Sequence, residues 1–160
     1  MGCGKSSVGR RLSQLLCCPF MDLDQVIEER TGRSIPEIFS RDGEPEFRRI
    51  ELEALKHIVG ERPSLVLALG GGAVMTTKCA EIVHSDTLCI YLKASVETLM
   101  EHLSGQTDGR PMLGDSDLRT RIEELMALRS DTYEKTAHIV IDTDGKSIEA
   151  VASEIISKLA

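Results

Sequence analysis

Gly2-Cys3-Gly4-Lys5-Ser6-Ser7 puts two glycines, a lysine and two hydroxyls at the head of an amphipathic stretch. This is the last part of the phosphate-loop pattern G-x-x-x-x-G-K-[ST]. Glycines let a backbone approach phosphate oxygens without Cβ clashes, and a helix start aims its N–H groups at the anion. Lys5 supplies a compact positive charge for β- and γ-phosphates, and the Ser6 hydroxyl is the type of ligand that Mg²⁺ takes. Cys3 reads as a small filler in the loop. The plain alternative is a chance G-K-S in a turn. The pattern's first glycine would fall two residues ahead of Met1. The expectation is therefore that the sequence given starts inside the motif, without the strand that feeds it.

Four further groups could work with such a loop. Asp22 and Asp24 close a short apolar run, Pro19 to Asp24. Read as a strand, period-2 geometry sends both carboxylates to one side, at the carboxyl end where α/β sheets bind ligands. One would sit near a metal ion and one would accept a hydroxyl proton; the alternative is that Asp24 only caps the next helix. Gly70-Gly71-Gly72 follows another apolar run, Ser64 to Leu69. It offers bare backbone to a ligand, or else is a flexible connector. Arg48 has Glu51 three residues on to orient it. Arg129 lies on the apolar stripe Leu118, Ile122, Leu125, Met126, Tyr133, so its charge needs a partner. Two such arginines suit a bound carboxylate or phosphate, and each alone could be a structural ion pair. Gly105 to Pro111 is a polar loop with Arg110 near its end. It reads as a lid that carries Arg110 onto a transferring phosphoryl group, or as an ordinary surface loop.

The elements that must position these groups follow from periodicity. Val8, Leu12, Leu15 and Leu16 predict a helix over 5–16. A helix from Asp24 stops near Gly32. Ser34, Pro36 and Glu37 form a helix start with a capping box, and Gly43 should interrupt that helix before a long one from Glu44 to Val59. Strands are predicted at 64–69, 87–92 and 138–142, the first a continuous apolar run suited to burial on both faces. Helices are expected near 76–84, 95–103, 115–135 and 146–159. Alternating strands and helices predict a layered α/β domain with a mostly parallel sheet.

Composition bounds the function classes. The 160 residues suit a single domain, and 41% hydrophobic with 28% charged content is ordinary for a globular chain. A net charge of −7 leaves no basic footprint for nucleic acid. Five cysteines without C-x-x-C spacing read as free thiols in a reducing cytosol. The four histidines share no metal-ligand spacing. No apolar run approaches the ~20 residues of a membrane span, and no signal peptide is seen.

Taken together, the chain resembles the shikimate kinase family. The resemblance runs through Gly2-x-Gly4-Lys5-Ser6, Asp22-x-Asp24, Gly32-Arg33-Ser34-Ile35, Gly43-Glu44 and Glu46-Phe47-Arg48-x-x-Glu51. It continues in Gly70-Gly71-Gly72-Ala73, Arg110-Pro111 and Arg129-x-x-x-Tyr133. It implies a three-layer P-loop kinase of the nucleoside-monophosphate-kinase-like type, one domain over 1–160 with a lid at about 104–116. In that fold the parallel sheet has a central first strand, which is the strand expected to be absent here.

The implied activity is ATP-dependent phosphorylation of the shikimate 3-hydroxyl with Mg²⁺, in aromatic amino acid biosynthesis, by a cytoplasmic monomer. By resemblance, Ser6 binds Mg²⁺ directly and Asp22 through water. Asp24 orients the reacting hydroxyl and takes its proton. Arg48 and Arg129 clamp the carboxylate, and Gly70, Gly71 and Gly72 meet the ring hydroxyls. Gly2 to Ser7, Arg110 and Lys146 hold the nucleotide, with Lys146 near the adenine. The arginine common in the family before the lid is not evident in His102-Leu103-Ser104-Gly105. A kinase for gluconate or another small polyol, and an inactive nucleotide-binding homologue, are the competing readings.

Overall fold

The computed structural model describes residues 2–61, 64–104 and 115–160. Helix α1 (Lys5–Leu15) follows the phosphate loop directly. Strand β1 (Phe20–Asp22) then runs into α2 (Leu23–Thr31) and α3 (Ile35–Glu61). Strand β2 (Val66–Ala68), the glycine turn, a single 3₁₀ turn (Ala73–Met75) and α4 (Thr77–Asp86) come next. Strand β3 (Ile90–Lys93), α5 (Val96–Ser104), α6 (Asp115–Thr136), β4 (Ile139–Asp142) and α7 (Ile148–Leu159) complete the order.

Local chemistry accounts for the boundaries. Gly32 ends α2 in the left-handed region at φ 66°, where glycine carries no Cβ penalty. Ser34 and Glu37 form the capping box: the Ser34 N–H donates to Glu37 Oε2 at 2.8 Å and the Glu37 N–H to Ser34 Oγ at 3.3 Å. Gly43, at φ 80° and ψ 172°, kinks α3 where a break was expected, and Pro45 follows it without an N–H to give back.

The strands pair in parallel, but in two separate pairs. β1 pairs with β2, Met21 opposite Leu67, and β3 pairs with β4, Leu92 opposite Ile141. A cavity of about 620 Å³ opens between β2 and β3, lined by Leu65 to Leu69 and Leu88 to Leu92. The expected single sheet is therefore split into two strand pairs. The split also changes burial: Val66 and Leu67 are half-buried rather than enclosed, and Leu88 is 54% exposed.

Helices still cover both faces, as a three-layer α/β domain requires. On one face Leu23, Ile27, Ile38, Leu55 and Ile58 form the core with Leu65, Leu67 and Leu69 packed against it. On the other, Val8, Leu12, Ile141, Val151 and Ile155 gather with Val66 and Ile90. Neighbouring residues of β2 thus serve opposite layers, as a pleated strand dictates. A third cluster of Ala94, Leu99 and Ile122 fixes α5 to α6. No described helix is long and apolar enough to cross a membrane.

Candidate active site

Gly4 caps α1 at φ 80° and ψ 21°, with no side chain bonded to the helix start. A Cβ built at Gly4 would meet nothing within 4 Å. The first-turn N–H groups therefore face an open cradle, which suits an anion. Lys5 and Ser6 are the first two residues of the helix.

Ser6 Oγ donates to Asp22 Oδ2 at 3.0 Å. The other oxygen, Oδ1, accepts the Asp24 N–H at 3.0 Å, and Asp22 is the N-cap of α2. This corrects the strand reading of the two acids. β1 ends at Asp22, and Asp24 lies in the first turn of α2 rather than two places along a strand. The cap is also Asp22, not Asp24. The acids stay close because a helix begins between them. Burial first, then the Asp22 carboxylate, holds the Asp24 carboxyl above its usual range, while the Lys5 and Arg48 charges pull it back. A hydroxyl and a carboxylate in contact at a phosphate loop form an oxygen set of the kind Mg²⁺ takes, so these residues fit that ion.

The glycine turn closes on the same place. A Cβ built at Gly70 would lie 3.0 Å from Asp24 Oδ1. One at Gly72 would lie 3.0 Å from Arg48 Cζ and closer still to Nη2. Side chains at either glycine would fill the space between turn, carboxylate and guanidinium. Arg48 is itself held by three side chains, Glu51, Glu44 and Phe47. Its Nη1 donates to Glu51 Oε2 at 2.7 Å, its Nη2 reaches Glu44 Oε1 at 3.2 Å, and its Cζ lies 5.2 Å from the Phe47 ring centroid. Glu51 is only 1% exposed. Burial raises its carboxyl and Arg48 opposes that rise, which ties the two charges together.

Helix α6 reaches the turn from another direction. Tyr133 Oη donates to the Gly71 carbonyl, and its ring packs on Tyr91 at 5.1 Å between centroids. Arg129 lies one helical turn earlier on the same face. Its Nε is buried, as the inward stripe predicts, but it has no hydrogen-bond partner among the described residues, where the stripe called for one. Arg129 lines a small pocket with Cys3, Tyr91 and Tyr133, and a buried guanidinium donor left unpaired is what an incoming anion would satisfy.

The arrangement joins a phosphate cradle, a Ser–Asp oxygen pair, a carboxylate of raised pKa and arginines beside a bare glycine turn. The shikimate kinase family model matches residues 1–160. The chain belongs to the shikimate kinase family.

Relatives cover it nearly end to end. The shikimate kinase of Thermus thermophilus is 43% identical over 159 residues, 99% of this chain and 85% of that one. That of Rhodococcus erythropolis is 40% identical over 158 residues, 99% and 92%. Among solved structures, shikimate kinase from Acinetobacter baumannii in complex with shikimate superposes with a TM-score of 0.88 at 33% identity, covering 99% of this chain and 88% of that chain. Shikimate kinase from Aquifex aeolicus gives 0.81 at 32% identity, covering 99% and 90%.

Other expected site residues fall elsewhere. Lys146 stands just ahead of α7 and pairs with Glu154 at 2.7 Å. Ser7 is exposed in the first turn of α1. Arg110, with the lid loop, lies outside the described residues. Two contacts had no signal in motif spacing: the Tyr133–Gly71 bond, and His102 Nδ1 at 2.6 Å from the Gly2 carbonyl. Both join residues at least 62 positions apart, which periodicity along one element does not register.

Proposed function

We propose that this chain transfers the γ-phosphoryl group of ATP to the 3-hydroxyl of shikimate. The observation that carries the reading is the closure of Asp24 and Arg48 on Gly70 and Gly72 beside the Lys5–Ser6 loop. Phosphoryl transfer needs mainly positioning and charge stabilisation. Gly2, Cys3, Gly4 and Ser7 shape the loop that receives the ATP phosphates, and Lys5 lies at the transferred group. Ser6 and Asp22 would hold Mg²⁺, which when bound neutralises phosphate charge. Asp24 accepts the hydroxyl proton, a role that suits a carboxylate raised by burial. Arg48 and Arg129 take the substrate carboxylate, and Gly70, Gly71 and Gly72 form the wall under the ring. Arg110 is assigned the charge of the transferring phosphoryl group. Lys146, steadied by Glu154, serves the adenine side. The unit is one domain over 1–160, working as a cytoplasmic monomer.

A coupled assay of ADP release, with and without shikimate, tests the reading. Shikimate-dependent release is expected, with gluconate inert. Equal ATP hydrolysis with and without shikimate would overturn it.

A further inference from the structure

The Gly71 carbonyl is tied to α6 by the Tyr133 hydroxyl. In a trans peptide the carbonyl and the following N–H point to opposite sides. Holding the Gly71 oxygen toward α6 therefore turns the Gly72 N–H away from α6. A Cβ at Gly72 would point into the Arg48 guanidinium. Gly70 and Gly72 give up their carbonyls to Ala73 and Met75, at 3.1 Å each. The Gly72 N–H has no hydrogen-bond partner among the described residues. The Gly70 and Gly72 carbonyls are spent inside the turn, and the Gly72 amide, turned away from α6, is left as a donor.

We propose that Tyr133 is a positioning residue that aims this amide at the bound substrate. Rotation of the Gly71–Gly72 peptide would swing the donor out of the cleft. The hydroxyl prevents it, and the Tyr91 ring keeps the phenol in place. Because Tyr133 and Arg129 share one face of α6, the same helix sets both the turn and one anion-binding side chain. The substrate wall and the Arg129 clamp are thereby built as one unit rather than as two independent contacts.

The inference rests on the proposed function, since the donor is aimed at the substrate of that reaction. Tyr133→Phe keeps the ring and removes only the hydroxyl. The KM for shikimate should rise about three- to tenfold, the factor expected when one hydrogen bond is lost or misaimed. The KM for ATP, kcat and the melting temperature should stay close to wild type. In ¹⁵N spectra the Gly72 amide should shift on adding shikimate to the wild type, and shift less in the variant. An unchanged KM, or a uniform fall in kcat, both affinities and stability, would overturn the positioning role. Wild-type protein that shows neither shikimate turnover nor a shikimate-induced shift would instead defeat the functional reading. An active wild type matched by Tyr133→Phe defeats only the inference.

Discussion

Gly72→Ala probes the site with a single methyl group. The new Cβ would lie 3.0 Å from Arg48 Cζ and Nη1 and nearer still to Nη2. Carbon contacts settle at about 3.5–4.0 Å, so the guanidinium must retreat by roughly 0.5 Å at Cζ and further at Nη2. The retreat is costly because Nη1 is bonded to Glu51 at 2.7 Å, and Glu51 has no water to fall back on. Stripping a buried carboxylate of its partner altogether would cost about 3–5 kcal/mol. The Arg48 side chain is 21% exposed and can swing, so the cost of overpacking, about 1–3 kcal/mol, is the better guide. For a chain of this size that lowers the melting temperature by about 2–10 °C. Displacing the guanidinium also removes a charge-assisted bond to an anionic substrate, about 1.5–3 kcal/mol, or roughly 10- to 100-fold in KM for shikimate. The KM for ATP should hold within about twofold, since Arg48 bonds to Glu44 and Glu51 rather than to the phosphate loop. Steady-state kinetics and thermal melts of Gly72→Ala, Arg48→Ala and the double variant form the assay. In the Arg48→Ala background the methyl should add little. Equal penalties in both backgrounds, or an alanine variant indistinguishable from wild type, would refute the clash with Arg48.

Asp24→Asn should abolish most shikimate-dependent turnover while leaving ATP binding intact, as a paired binding and turnover measurement would show. It should also stabilise the protein at neutral pH. A carboxyl whose folded pKa is raised costs stability as pH climbs from the unfolded value, near 3.8, through the folded one. The variant's advantage in thermal melts should thus appear at pH 7 and vanish below that unfolded value; a pH-independent difference would contradict the burial argument. Arg129→Ala should raise the KM for shikimate roughly 10- to 100-fold; its Nε has no protein partner to lose, and an unaltered KM would mark the arginine as structural. Gly9→Ala probes the seat of α1. Its Cβ would lie 2.6 Å from Phe20 Cε2, so melts should show α1 levered off β1 at about 1–3 kcal/mol, with the KM for ATP rising as Lys5 and Ser6 shift.

Features set by a few adjacent residues were legible in the sequence. The glycine-lysine-serine loop ahead of a helix, the Ser34–Glu37 capping box and the kink at Gly43 each depend on neighbours within one turn. The Arg48–Glu51 pair was readable because both sit on one helix face. Asp24 was misplaced for a physical reason. Pro19 to Asp24 satisfies a strand pattern, but Asp22 caps the backbone and turns it helical at Leu23. The split of the strands into two pairs was not legible in the sequence, because pairing is decided between segments distant along the chain. The Tyr133–Gly71 bond was beyond reach for the same reason: the stripe places Tyr133 inward, and only the fold brings the glycine turn under it.

The cavity between β2 and β3 also bears on how the molecule comes apart. β1–β2 and β3–β4 share no ladder, so neither pair is held closed by the other's hydrogen bonds. Helix α1 spans the gap, with Val8 and Leu12 in one cluster with Ile141 and Ile155 and with Val66 of β2 against it. Amide exchange should resolve two opening units, β1–β2 with α2–α4 and β3–β4 with α7, released separately once α1 and the Tyr133 tie to Gly71 let go. The helix that presents its N-terminus to phosphate is then also the clasp of the fold. An anion bound there would slow exchange in both units at once, a signature of ligand binding readable far from the reacting atoms.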